Sequence, residues 1–147
     1  MLEPLVPREK DNEVVGNDGN QHKFAEYAHH APIQAKGAIE TNFDPVFTSE
    51  LALREKQIQQ NYRPVIGIHK WFARRPGTVF RSLMIAEYSQ NPIRQAYWRG
   101  HNFKGVIADP FMGGGTPLYE ANRLGFHVLG CDINPMAHWI VAQALTD

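Results

Sequence analysis

The sequence predicts an α/β fold in which two parallel strands carry flanking helices behind a mostly helical N-terminal segment. Three observations predict it. The apolar run Val106-Ile107-Ala108 leads into Asp109-Pro110-Phe111-Met112-Gly113-Gly114-Gly115-Thr116. A short helical pattern follows, from Leu118 to Leu124. A second apolar run, His127 to Cys131, then ends in Asp132. Strand, glycine turn, helix and strand in that order make one βαβ unit, whose strands run parallel.

The turn suits a ligand. A backbone that touches a ligand cannot carry β-carbons at the contact and often needs φ > 0, and glycine meets both demands. Thr116 is the expected N-cap of the helix, with Pro117 at its first position and Gly125 as its stop. A glycine run after a strand is often only a tight turn, so the second acid matters. Asp132, at the tip of the second strand, is placed to accept hydrogen bonds from ribose hydroxyls. Asn134, with Pro135 behind it, is the better cap for the next helix, which leaves Asp132 free. Cys131 reads as a small buried strand residue.

The spacing also separates one nucleotide from another. A dinucleotide fold shows Gly-x-Gly-x-x-Gly, with the helix start aimed at a pyrophosphate. Here the string is Asp-x-x-x-Gly-x-Gly. A carboxylate opening the turn repels a pyrophosphate and attracts an ammonium. S-adenosylmethionine carries an ammonium and a ribose but no phosphate, so the residues favour it over NAD.

The string Asp109 to Thr116 resembles the cofactor motif of amino-directed DNA methyltransferases. Leu124-Gly125-Phe126-His127-Val128-Leu129-Gly130-Cys131-Asp132-Ile133-Asn134-Pro135 is similar to the segment that follows it in adenine-specific DNA methylases. Upstream, Arg54-Glu55-Lys56 and His69-Lys70-Trp71-Phe72-Ala73-Arg74-Arg75-Pro76 look like the N-terminal signature of one subgroup. Phe72 stands where that subgroup has a second tryptophan, and Gly77 where it has an apolar residue. The resemblance runs from about Ile39 to Leu145. It implies a partial Rossmann-like S-adenosylmethionine-dependent methyltransferase fold. The implied cofactor-binding residues are Asp109, Pro110, Phe111, Gly113, Gly115, Thr116, Asp132 and Ile133. Lys70, Arg74 or Arg75 is implied for the cofactor carboxylate, with Lys70 and Arg75 put forward first.

Composition sets the outer bounds. With 147 residues, 43% of them hydrophobic, the chain is ordinary globular material for one modest core. A single cysteine excludes a disulfide framework, and no Cys/His cluster has zinc spacing. There is no signal-like start and no run of the ~20 apolar residues that a membrane span needs, so a soluble cytoplasmic protein is expected. The net charge of zero hides an uneven layout: −5 over residues 1–50, +8 over 51–105 and −3 over 106–147. A basic middle third is a candidate face for a polyanion, DNA by resemblance. The competing reading is that its arginines pair with the acidic ends.

Taken in order, residues 1–38 read as a loosely ordered arm, with a short helix at Lys23–Ala28 and a His29-His30 pair that lacks the partners a metal needs. Residues 39–104 read as a helical segment. In it, Ile39–Phe43 is extended, Asp44-Pro45 is a turn, and a helix capped by Thr48 or Ser49 runs from about Glu50 to Gln60. Pro64 forbids its continuation. Trp71 and Phe72 anchor in the core while a neighbouring cation faces the ligand. Pro76 opens a helix whose stripe of Val79, Phe80, Leu83 and Met84 is core. A shorter helix spans Ile93–Arg99. Residues 105–147 begin the Rossmann-like domain, with Trp139 packing on the sheet or, as the weaker alternative, covering the adenine side.

Methylation of an exocyclic amine requires acceptors for the amino hydrogens and a clamp for a flipped base. Amino-directed methyltransferases supply these with an Asp/Asn-Pro-Pro-aromatic loop, and this sequence contains none. The chain therefore reads as the N-terminal cofactor-binding portion of such an enzyme, inactive alone. It would be a truncated frame or half of a split enzyme completed by a second chain. The alternative is a non-catalytic binding or regulatory module of a DNA modification or defence complex.

Overall fold

The computed structural model describes residues 13–14, 39–58, 67, 69 and 71–145. The α/β architecture is present. Three strands, β1 (Glu13–Val14), β2 (Val106–Asp109) and β3 (His127–Gly130), form a parallel sheet in the order β1-β3-β2. Around them lie α1 (Ile39–Asn42), α2 (Pro45–Gln57), α3 (Gly77–Tyr88), α4 (Ile93–Ala96), α5 (Thr116–Arg123) and α6 (Pro135–Leu145). The register of β2 on β3 is Val106 to His127 through Asp109 to Gly130. β1, from the segment expected as a loose arm, pairs Glu13 with Leu129 and Val14 with Gly130. The expected helix at Lys23–Ala28 and the His29-His30 pair lie outside the described residues.

Strand β2 has one open edge. His127 N–H donates to Gly105 O and Cys131 N–H to Asp109 O, both at 3.0 Å. In a parallel ladder alternate residues face the same neighbour, so Val106 and Ala108 turn their backbone groups away from β3. No strand pairs with them among the described residues.

The core lies between the sheet and helices α3, α5 and α6, with Ile85, Leu118, Leu124, Val128 and Val141 fully buried. Tyr88, Phe103 and Phe126 pack ring on ring, with Tyr88 and Phe126 4.7 Å apart, edge to face. Phe103 and Phe126 precede β2 and β3, so this aromatic cluster closes the N-terminal end of the sheet. The C-terminal end is left for the loops that follow Asp109 and Gly130.

Several helix boundaries differ from the sequence expectation, for identifiable reasons. Ile39–Asn42 is helical rather than extended. Its β-branched residues favour a strand, but tertiary anchors win: Ile39 N–H donates to Glu87 Oε2 at 3.1 Å and Asn42 Nδ2 to Ala86 O at 3.2 Å. α2 begins at Pro45, capped by Asp44, whose Oδ1 accepts from Phe47 N–H at 2.9 Å. That bond, ahead of the Arg94 contact, holds the Asp44 carboxyl below its ordinary value. Asp-Pro here is cap and first residue, not a turn, and Thr48 is simply buried.

Helix α3 takes its N-terminal acceptor from a distance. Gly77 N–H donates to Glu55 Oε1 and Thr78 N–H to Glu55 Oε2, each at 3.0 Å. Gly77 packs close to α5, where a Cβ would stand 3.2 Å from Glu120 Oε1. Glu55 thus ties α2 to α3, and Glu55→Ala is expected to destabilise the fold by about 1–2 kcal/mol. Urea denaturation checks this, and an unchanged midpoint would mean that water replaces the carboxylate. The fully buried face of α3 is Ser82, Ile85 and Ala86. Val79, Phe80, Leu83 and Met84, expected as core, are half-buried.

Part of the basic middle third is spent on internal contacts. Arg94 Nε meets Asp44 Oδ2 at 2.8 Å, and Arg81 lies 3.8 Å from the buried Glu120, which also pairs with Arg123 of the last third at 3.0 Å. No described helix is long and apolar enough to cross a membrane.

Candidate functional site at the tips of the parallel strands

The loop after β2 is built from its own backbone. Asp109 Oδ1 accepts from Phe111 N–H at 3.0 Å, a turn that Asp favours. Met112 N–H donates to Cys131 O at 3.0 Å, which ties the loop to the end of β3. Gly115 N–H closes back on Met112 O at 2.7 Å. Gly113 and Gly115 have φ of 49° and 73°, the left-handed region that glycine adopts without strain. Gly115, not Thr116, is the residue before α5, and Thr116 makes no side-chain cap.

The second acid is engaged rather than free. Asp132 Oδ2 accepts from Gly113 N–H at 2.8 Å, and Oδ1 accepts from Asn134 N–H at 2.8 Å. Asn134 caps α6, with Oδ1 accepting from Met136 N–H at 3.0 Å. The two acidic loops, on neighbouring parallel strands, are therefore stitched together across the glycine bend. A carboxylate has about four acceptor positions, so Asp132 retains two for a ligand.

A cleft of about 340 Å³ opens beside this bend. Gly113, Gly114 and Thr116 line one side, and the rings of Trp71, Phe80 and Phe111 line others. Its charged groups are Asp109, Arg74 and Arg75. The volume lies within the range of small-molecule sites, ~300–1,000 Å³. A larger groove of about 420 Å³ runs along α2 between Val46 and Leu53, but it is shallow and Glu50 is its one charged group. Converging polar groups mark the strand-tip cleft as the candidate.

The arginines come from the Trp71–Arg75 segment. Arg74 Nη2 lies 3.1 Å from His69 Nε2 and donates to His69 O at 3.3 Å. Arginine only donates, so His69 Nε2 is the acceptor and the ring is neutral. Burial lowers the His69 pKa, and the Arg74 charge lowers it further, which keeps that arrangement at neutral pH.

The residues singled out in the sequence divide into groups. Asp109, Phe111, Gly113, Thr116 and Arg75 line the cleft. Gly115 is buried behind it, Pro110 is exposed beside it, and Asp132 reaches it only through Gly113. Ile133 is 91% exposed and outside it. Lys70 lies outside the described residues. Phe72, expected to anchor in the core, is 98% exposed, and Trp139, expected on the sheet, is 64% exposed. Cys131, expected buried within the strand, is half-exposed and just beyond β3. Phe80, expected in the core from its helical stripe, walls the cleft, and its half-buried ring serves both.

The glycines also have a packing reason. A Cβ on Gly114 would stand 2.9 Å from Trp71 Cγ, and one on Gly115 2.6 Å from Val141 Cγ2. The indole thus rests on one side of the bend and the core on another.

The chain matches no protein-family model, no curated protein and no solved structure. What it does is therefore read from the site itself.

Proposed function

We propose that the cleft binds S-adenosylmethionine. On this reading the chain is the N-terminal cofactor-binding portion of a DNA methyltransferase acting on an exocyclic amino group, that of adenine. The observation that carries the reading is the charge pattern across the glycine bend. Asp109 and two arginines share one cleft, and Asp132 is bonded to Gly113 from the neighbouring strand tip. A zwitterionic amino-acid group would find both of its counter-charges there, and on this reading the second acid, behind Gly113, takes the ribose. A pyrophosphate would meet Asp109 instead.

DNA is the proposed substrate. Phe111, 86% exposed, lines the same cleft as Arg75, and the pair offers stacking together with anion contact. An Asp/Asn-Pro-Pro-aromatic loop would be supplied from outside these 147 residues, by a continuation of the chain or by a second chain, and the edge of β2 left unpaired among the described residues is where further sheet would add. A second reading, a binding module without catalysis, draws on Trp71, since packing against that indole accounts for Gly114 without a ligand.

Calorimetric titration separates these. S-adenosylhomocysteine is expected to bind saturably and NADH not at all. Binding of NADH alone would sink the cofactor reading, and binding of neither would favour the second. Radiolabelled methyl transfer from the isolated chain to DNA is expected to be nil; transfer would show that the catalytic group is already here.

A further inference from the structure

His69 and Arg74 close a short turn that walls the cleft, since Trp71, Ala73 and Arg74 line it. Arg74 Nη2 lies 3.1 Å from His69 Nε2 and donates to His69 O at 3.3 Å. Both residues are half-buried, whereas Phe72 and Ala73 between them are exposed. Trp71 turns inward, with its Cγ 2.9 Å from where a Cβ on Gly114 would stand. An arginine side chain has much rotamer freedom to lose, and a cation on so exposed a turn needs an anchor to stay in one place. The two contacts with His69 hold one end of a planar fork that carries five N–H donors.

We propose that His69 is the positioning residue that holds the Arg74 guanidinium in the cleft, and that a proton on His69 releases Arg74 and weakens binding of an amino-acid-bearing ligand. The proposal rests on the cofactor reading above and adds what fixes the cation that meets the ligand's carboxylate. The anchor works only while Nε2 keeps its lone pair. A protonated imidazole donates from both nitrogens, so it would set donor against donor and cation against cation. Among the described residues, Arg74 is the charged group that faces His69. Burial holds the His69 pKa below its ordinary value and the Arg74 charge lowers it further, so the lone pair is kept at neutral pH and lost in acid.

The test compares wild type with His69→Gln and His69→Phe at pH 7.0 and pH 5.0. Glutamine offers an acceptor oxygen that does not titrate in this range; phenylalanine keeps a flat ring and offers none. Each protein is titrated calorimetrically with S-adenosylhomocysteine and with 5′-methylthioadenosine, which keeps the nucleoside and lacks the amino-acid group. Wild type is expected to bind S-adenosylhomocysteine about three- to tenfold more weakly at pH 5.0 than at pH 7.0. His69→Gln is expected to match wild type at pH 7.0 and to hold that affinity at pH 5.0. His69→Phe is expected to be about three- to tenfold weaker at both. Affinity for 5′-methylthioadenosine is expected to stay level throughout, which also shows that the variants fold. Wild-type affinity for S-adenosylhomocysteine that is level or higher at pH 5.0 overturns the assignment. So does a fall that 5′-methylthioadenosine shares, a fall in His69→Gln equal to that of wild type, or a His69→Phe that binds as well as wild type at pH 7.0. Each of those results leaves the cofactor reading standing, because wild type still binds at pH 7.0. A wild type that binds neither ligand at pH 7.0 removes both.

Discussion

Gly115→Ala is expected to destabilise the protein by about 2–5 kcal/mol, with a matching fall in the urea midpoint. Two costs combine. A φ of 73° is in the left-handed region, where an L side chain costs roughly 1–2 kcal/mol. The new Cβ would also stand 2.6 Å from Val141 Cγ2 and 3.2 Å from Tyr119 Cε2. Val141 is fully buried, so it cannot swing aside, and overpacking of a filled core costs typically ~1–3 kcal/mol. Gly114→Ala is the control. That position has no positive φ, so it carries only the steric cost of a Cβ 2.9 Å from Cγ of Trp71, which is half-exposed rather than locked in the core as Val141 is. It is expected to cost clearly less. If Gly114→Ala were the more damaging of the two, the bend would be held from the Trp71 side, and the cleft would be a packing surface rather than a place for a ligand.

The contrast between those glycines bears on what a sequence can convey. The βαβ unit was legible because its signals are local: apolar runs, a glycine turn, Pro117 near the helix start and Gly125 at the stop. The cap at Asn134 was legible for the same reason. Asp44-Pro45 reads as a turn because a turn and a helix start use the same two residues; only the Phe47 N–H bond separates them. β1 was not legible, since two residues near the N-terminus pair with Leu129 and Gly130 at the far end of the chain. Nor was the fate of the aromatics. Phe72 and Trp139 look like core residues by type, and nothing nearby in sequence shows that they stand exposed. Most of the candidate site came from one string, Asp109–Thr116. The wall supplied by Phe80 depends on how α3 packs, and α3 is tied to α2 by Glu55. The sequence named both acids of the site, yet it left Asp132 free where the fold engages both of its oxygens.

That engagement gives Asp132→Ala a double effect. The substitution removes the acceptor of Gly113 N–H and that of Asn134 N–H, each at 2.8 Å. Bonds to a charged acceptor are worth about 1.5–3 kcal/mol each when sheltered. Asp132 is half-exposed, and water can take over part of their role, so a combined loss of about 1–2 kcal/mol in folding stability is expected. Affinity should suffer more. Without the carboxylate the glycine bend is no longer stitched to the β3–α6 turn, and on the proposed reading two acceptor positions for the ribose disappear. S-adenosylhomocysteine is expected to bind at least about tenfold more weakly, a loss of about 1.4 kcal/mol or more. Asp132→Asn refines the test. One carboxamide oxygen can keep one backbone N–H, but the amide nitrogen sets donor against donor at the other. Its affinity should therefore fall nearly as far as that of the alanine variant, although the volume is conserved. A drop in stability with affinity untouched would make Asp132 a staple for the loop and nothing more, and the ribose end of the reading would be lost.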